Sequence, residues 1–382
     1  MSTDLFGGPL AGYPKYELSL WQKRQATLLY HWMSLDYLRG LKDLIDALIK
    51  GADVNLELAK RQGRDALLTS ERWGVRDTAA NWSTFVFPAL EDFRRSTIKD
   101  IAMRSTESFE FTGANDCGHM IGEFSSLWMT EEEEQQFKEQ WEQVYRYAAF
   151  IDYAAGAGGA RTHLDDYTMH LHWVKYSSLF PRLPRLRVRT DVAGETGKRP
   201  MRTGVFIAQD DPHATPQFAW TGNDDGILGQ AQAFNDVGLR MLSAVGRDSL
   251  WLDSQRTAAF VRAEALRNPS IDMGPFSLSD VQADPSCAGN AMAFAAFATR
   301  ACKWYYVERV EGEFDDEAES SPGDSAAAPT RLRCEAGQPC PREGYWFTPA
   351  RPNSRRAFRQ GEVMPDAGGS YGATIWQWDE VQ

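Results

Sequence analysis

The chain has 382 residues, of which 43% are hydrophobic and 12% aromatic, and its 53 acidic and 41 basic residues give a net charge of −12. This length and composition are typical of a folded protein with a sizeable core divided into two or three lobes. The acidic balance argues against a nucleic-acid-binding protein, which would show a basic patch, and favours a partner that is itself basic.

The sequence shows no signal for secretion or membrane insertion. Met1–Pro9 lacks the positive and apolar regions of a signal peptide, and no apolar run approaches the ~18 residues that a membrane helix needs. The cysteines are few and show no Cys-x-x-Cys spacing, which indicates reduced thiols. We therefore expect a cytoplasmic protein without membrane contact, and the pairing of Cys334 with Cys340 stays open.

Residues 1–180 are predicted to form a helical lobe. Apolar residues of Tyr16–Lys50 recur at spacings of three and four, which predicts an amphipathic helix, or a helix pair broken at Gly40, that ends at Gly51. Another helix is expected to begin with Pro88 as its first residue. The capping box of Thr130–Glu133 predicts a third helix of about 25 residues, whose acidic first turn we interpret as a solvated helix start.

One constellation in this lobe has the composition of a metal site. His163, Asp166 and His170 lie at i, i+3 and i+7 of a predicted helix and share a face, while His172 points away. Three such ligands would leave an open position for a hydrolytic divalent ion. Because metal-binding helices usually place histidines at i and i+4, and no Glu-x-x-His is present, we predict ordinary packed or surface histidines, without metal or cofactor.

Residues 181–310 are predicted to form an α+β lobe. The basic run Arg182–Arg189 is interpreted as the connection between the lobes. Arg202–Gln209 and Gln217–Thr221 are predicted strands of a hairpin with a long acidic tip. Three helices are then expected, at Leu228–Val245, Thr257–Leu266 and Ala288–Tyr306.

Two acidic dipeptides in this lobe are candidate partner-binding residues. Asp210 and Asp211 lie at the hairpin tip, and Asp224 and Asp225 lie in a turn after it. Loops on a rigid scaffold commonly carry binding residues, so we expect these carboxylates to meet a basic partner. The alternative is ordinary turn chemistry, since aspartate favours such positions.

Residues 311–330 are predicted to be an acidic flexible linker, because Glu311–Pro329 contains few large apolar residues. Residues 331–382 are predicted to be an aromatic β-module packed on the preceding lobe. Its strands are expected in a meander, at Tyr345–Thr348, Ala357–Met364 and Ala373–Trp378. Trp376 and Trp378 share one face of the last strand and can cap a compact core.

This module also resembles the C-terminal part of a known family. The segments that carry the resemblance are Gly337-Gln-Pro-Cys-Pro, Gly344-Tyr-Trp-Phe-Thr-Pro, Gly361-Glu-Val-Met-Pro and Tyr371-Gly-Ala-Thr-Ile-Trp-Gln-Trp-Asp. They are similar to the signature of bacterial immunity proteins encoded beside polymorphic toxins of the type VI secretion and Rhs kind. Segments at 202–212, 217–222 and 234–239 are similar to the same family, so the resemblance covers roughly the second half of the chain.

The resemblance implies an immunity protein, or antitoxin, that binds and neutralises a cognate secreted antibacterial toxin in the cytosol. It carries over no catalytic residue, and no motif of a known enzyme class is present, so we expect no enzyme activity. We expect the acidic surface to occlude a basic active site, for example that of a nuclease. The alternatives are a metal-dependent hydrolase using His163, Asp166 and His170, or a non-catalytic scaffold protein. The oligomeric state stays open.

Overall fold

The computed structural model describes residues 16–67, 78–156, 164–315, 333–348, 354–365 and 375–378. It has an α+β fold, with helices in the N-terminal half and small sheets towards the C-terminus, as the sequence predicts. The chain separates into two compact units, Met1–Asp316 and Glu317–Gln382. The predicted helical lobe and the predicted α+β lobe therefore belong to the same unit.

The N-terminal half of the first unit is helical. Its helices are α1 (Leu20–Trp32), α2 (Leu35–Gln62), α3 (Ala79–Met103), α4 (Ala114–Glu123), α5 (Glu131–Ala155) and α6 (Asp166–Tyr176). The predicted capping box at the start of α5 is confirmed. Thr130 Oγ1 accepts a hydrogen bond from the Glu133 amide at 3.3 Å, and Glu133 Oε2 accepts one from the Thr130 amide at 3.0 Å.

Two predicted helix boundaries are wrong. Helix α2 continues through Gly40 and Gly51 to Gln62, where Gly63 ends it in the left-handed conformation. Gly40 is required by packing instead, because a Cβ there would lie 2.5 Å from the Tyr147 hydroxyl of α5. Helix α3 begins nine residues before Pro88, which lies inside it, because the side chain of Thr78 caps the helix start.

The remaining elements of the first unit form two sheets and a group of shorter helices. The strands are β1 (Pro184–Glu195), β2 (Gly204–Ala208), β3 (Gln217–Ala219), β4 (Ala231–Phe234), β5 (Phe297–Arg300) and β6 (Lys303–Phe314). The helices are α7 (Asp236–Val245), α8 (Ser254–Arg267), α9 (Leu278–Ala283) and α10 (Ala288–Ala295). One antiparallel sheet has the order β1-β6-β2-β3, and β4 pairs with β5 in another. The predicted β2–β3 hairpin is confirmed.

The basic run Arg182–Arg189 is largely strand β1 and not a connection. Cross-strand ion pairs compensate its charges: Arg185 contacts Glu313 at 2.9 Å and Arg189 contacts Glu308 at 3.2 Å on β6. Such pairs stabilise neighbouring strands, and they depend on a partner more than 100 residues away along the chain. The charge pattern alone therefore gave no strand signal.

The predicted helix over Ala288–Tyr306 is wrong in its second half. Helix α10 ends at Ala295, and strands β5 and β6 follow. The predicted linker is also wrong at its start, because Glu311–Phe314 belongs to β6 and Asp315 forms an ion pair with Lys23 at 2.5 Å. Residues 316–330 of that prediction lie outside the described residues.

One hydrophobic core joins the helices to the larger sheet. Trp32 of α1, Leu41 of α2 and Val86 of α3 are buried in the same cluster as Val205 of β2 and Val307 of β6. The core therefore crosses residue 180, where the sequence suggested a boundary between lobes. A second cluster lies among α7, α8 and α10.

The second unit contains β7 (Arg333–Glu335), β8 (Gly344–Phe347), β9 (Arg356–Phe358) and β10 (Ile375–Trp378). These strands are ordered β7-β10-β8-β9, so β10 lies between β7 and β8 and the sheet is not a meander. Trp376 and Trp378 are buried in one cluster, as predicted, and Trp346 of β8 belongs to the same cluster. Cys334 and Cys340 are buried in the same cluster as free thiols.

Candidate functional site

Asp166, which belongs to the alternative metal-ligand set of the sequence, is a buried structural carboxylate. Trp21 Nε1 and Gln25 Nε2 donate to Oδ1 at 2.8 and 3.0 Å, and Trp251 Nε1 donates to Oδ2 at 2.7 Å. The Arg247 guanidinium contacts both oxygens, each at 2.6 Å. Five donors converge on a carboxylate that has roughly four lone-pair positions, so none is left for a metal ion. Asp166 instead ties α1 and α6 to the segment after α7.

The histidines near Asp166 are packed against aromatic rings. His170 is buried 5.3 Å from the Trp21 ring, and burial lowers its pKa to about 4. His172 lies 4.7 Å from the Phe150 ring, and burial likewise lowers its pKa to about 4. His163 lies outside the described residues. Among the residues described, no cluster of three histidine, cysteine or acidic side chains could hold a metal ion.

The predicted carboxylates at the hairpin tip share one arginine. Asp210 and Asp211 follow β2, and Arg300 of β5 contacts them at 3.3 and 3.0 Å. Asp211 also accepts a hydrogen bond from the His213 amide at 2.8 Å, which is turn chemistry. Asp210 is the more exposed of the two carboxylates, with 62% of its side-chain surface accessible.

The other two carboxylates lie at the opposite end of the same hairpin. Asp224 pairs with Arg199 but keeps 98% of its side-chain surface accessible, and Asp225 is exposed. Asn223 fixes this turn by donating to Glu110 Oε1 at 3.2 Å. Since β2 has five residues, about 17 Å of strand separates the two ends. The structure therefore does not bring the four carboxylates together.

A cavity of about 410 Å³ opens between the first turn of α4 and the C-terminal half of α5. Its aromatic walls include Phe111, Tyr145 and Tyr153, which are 55%, 42% and 39% exposed. Asp116 and Asp152 supply its charge, and none of the described residues that line it is basic. The volume lies in the range of small-ligand sites. We identify this acidic aromatic cavity as the candidate functional site.

Asp152 is held inside the cavity by neutral donors. The Thr112 amide donates to its Oδ1 at 2.6 Å and the Thr112 hydroxyl to its Oδ2 at 2.8 Å. Burial nevertheless raises the pKa of Asp152 to about 6. The nearby carboxyl of Asp100 is also buried, and its pKa is raised to about 6 for the same reason. The cavity therefore lies beside two buried acids, and Arg104 and Lys99 offset part of the charge of Asp100.

The aromatic walls have defined local supports. Phe109 is buried against Phe218 at 5.0 Å, which fixes the chain two residues before Phe111. Tyr145 contacts Trp141 at 5.7 Å, and Tyr153 stacks on His172 at 6.5 Å. The packed helices thus hold the rings in place from behind.

No single sequence motif contains the residues of this cavity. Tyr145 lies at helical spacing from Trp141 and Ala148, which by itself indicates an ordinary position on the apolar face of α5. The available signal was the stripe of Tyr145, Ala149, Asp152 and Tyr153 at i, i+4, i+7 and i+8, in which a carboxylate interrupts an otherwise apolar face. The contribution of Phe111 and Asp116 depends on tertiary packing, which periodicity does not reveal.

Comparisons of the chain with protein-family models, with curated proteins and with solved structures found no match.

Proposed function

We propose that this chain is an immunity protein that binds a basic, cytosol-acting toxin and neutralises it by covering its active site. The observation that carries the proposal is the net charge of −12, which results from 53 acidic and 41 basic residues. Exposed turns such as that of Asp224 present part of this charge on a rigid scaffold. The sequence resemblance in the second half of the chain supports the same function.

On this proposal the protein acts by binding and has no turnover of its own. Complementary charge would speed the encounter with the toxin, and a few buried anchor contacts would set the lifetime of the complex. Within the described residues, no helix is long and apolar enough to cross a membrane. We place the encounter in the cytosol, where a nuclease or nucleotide-consuming toxin would act.

The test is co-expression with the toxin domain encoded beside this chain. Cells that produce both proteins should grow, and the two should co-purify as a complex with a Kd on the order of 1 nM to 100 nM. A toxin made inactive by substitution of its own catalytic residue serves as the control for toxicity. Death of cells that contain folded wild-type chain would overturn the proposal.

A further inference from the structure

The acidic aromatic cavity has the chemistry of a cation site. Phe111, Tyr145 and Tyr153 line it, and the negative quadrupole of an aromatic ring attracts a positive group within about 6 Å. Asp116 is exposed at the rim, while Asp152 is half-buried inside. None of the described lining residues is basic, so the lining itself does not neutralise these carboxylates.

Other ligand classes fit less well. An anion would be repelled by Asp116 and Asp152 in the lining, and Glu110 and Asp152 both contribute to the raised pKa of the neighbouring Asp100. A divalent metal needs several converging oxygen ligands, and no such cluster exists among the described residues. A flat organic cation satisfies both the ring faces and the carboxylates.

An exposed acidic turn is fixed to the chain next to the cavity. Asn223, which precedes Asp224 and Asp225, donates to Ser108 Oγ at 2.8 Å and to Glu110 Oε1 at 3.2 Å. Glu110 is the residue before Phe111 of the cavity wall. A protein that contacts this turn therefore has the cavity beside it.

We propose that this cavity is an anchor site for one arginine side chain of a basic partner protein. The planar guanidinium would stack on the ring faces and donate paired N–H groups to Asp116, an arrangement that a compact lysine ammonium cannot reproduce. The partner's own fold would deliver the side chain, so charge complementarity selects the partner class. The site would bind an arginine side chain of any basic partner protein, so the proposal does not require that the partner be a toxin.

The test uses the full chain and a single-residue probe, N-acetyl-L-arginine methylamide, followed through the NMR shift of the Thr112 amide. We expect a saturable shift with a Kd on the order of 10 mM. The neutral isostere N-acetyl-L-citrulline methylamide should bind at least about tenfold more weakly, because it lacks the charge. The lysine analogue should also bind more weakly than the arginine probe.

Three variants complete the test. Asp116→Asn and Tyr145→Leu should each weaken arginine binding about three- to fivefold. Asp43→Asn, which removes the same charge from an exposed position on α2, should leave it unchanged. Equal binding of the citrulline or lysine probe, an unchanged affinity in Asp116→Asn, or no saturable shift would each overturn the site. Because no toxin is present, these results are independent of the protection experiment.

Discussion

Asp166 and Asp152 show how the surroundings of a residue decide the behaviour of a buried acid. Asp166 contacts the Arg247 guanidinium with both oxygens, whereas Asp152 receives its hydrogen bonds from the neutral groups of Thr112. The sequence placed Asp166 and His170 on one helix face correctly. It could not reveal Arg247, which lies 81 positions away and turns a possible ligand into a structural ion pair.

The raised pKa of Asp152 predicts a pH-dependent cost to stability. Its pKa rises from the ordinary 3.8 to about 6 because of burial, so between these values the folded state binds more proton than the unfolded state. Stability therefore falls as pH rises through this window, and the cost is complete above pH 6. Asp152→Asn should remove it, so the variant should gain on the order of 2 kcal/mol relative to wild type between pH 4 and pH 7.

Urea unfolding of both proteins across this range measures the difference directly. The variant has to be compared with wild type because His170 and His172 also titrate in this window. Their pKa values are lowered to about 4, so their contribution to stability increases as pH rises, opposite to that of Asp152. Thr112→Val provides a second variant. It removes a hydrogen bond that lowers the pKa of Asp152, so its loss of stability with rising pH should be steeper. A difference between Asp152→Asn and wild type that does not change with pH would contradict this account.

At the scale of elements, local signals were correct where local chemistry decides the structure. The capping box at Thr130 and the β2–β3 hairpin follow from side-chain caps and strand-forming residues near in sequence. Errors occurred where distant contacts decide. Gly40 has the sequence character of a helix breaker, but it serves to make room for Tyr147. The first part of β6 has the pattern of a helix end, but it is a strand because β1 and β2 pair with it on either side.

The two interior glycines of α2 make opposite predictions for substitution by alanine. A Cβ at Gly40 would lie 2.5 Å from Tyr147 Oη, and that ring is stacked on Tyr37 at 3.9 Å, so it has little freedom to move. Gly40→Ala should therefore lose about 1–3 kcal/mol of stability through overpacking. At Gly51 the neighbouring atom is the end of the Gln140 side chain at 3.2 Å, which can rotate away.

Gly51→Ala should accordingly be neutral, or more stable by up to about 1 kcal/mol through higher helix propensity. Thermal or urea unfolding of the two variants distinguishes the effects, because both change the same helix by the same methyl group. Gly40→Ala combined with Tyr147→Phe should recover part of the loss, since the closest atom is the hydroxyl oxygen. Equal stability of the two single variants would show that α2 and α5 do not approach as closely at Gly40.

At the scale of the whole molecule, the acidic charge is divided between places with different neighbours. The tip of the β2–β3 hairpin lies next to Arg300, whereas the turn at its other end is fixed to Glu110, beside the cavity. Net charge was readable from composition, but this division was not, because it depends on the hairpin register and on contacts across more than 100 residues. If partner binding uses one surface, the end beside the cavity offers both charge and an anchor site.

This division predicts which of two matched charge reversals impairs binding. Asp224→Lys and Asp210→Lys each change the net charge by +2. The first removes the partner of Arg199, and the second removes one of the two partners of Arg300. Long-range steering should thus decrease equally in the two variants, while only Asp224 lies at the surface beside the cavity. In stopped-flow association with the proposed toxin partner at low salt, Asp224→Lys should be slower than Asp210→Lys by about three- to tenfold, with a weaker dependence on salt. Both carboxylates are exposed, so the melting temperatures should stay close to wild type.

Equal association rates for the two variants would mean that net charge alone steers the encounter. A slower rate for Asp210→Lys would instead place the binding surface at the other end of the hairpin.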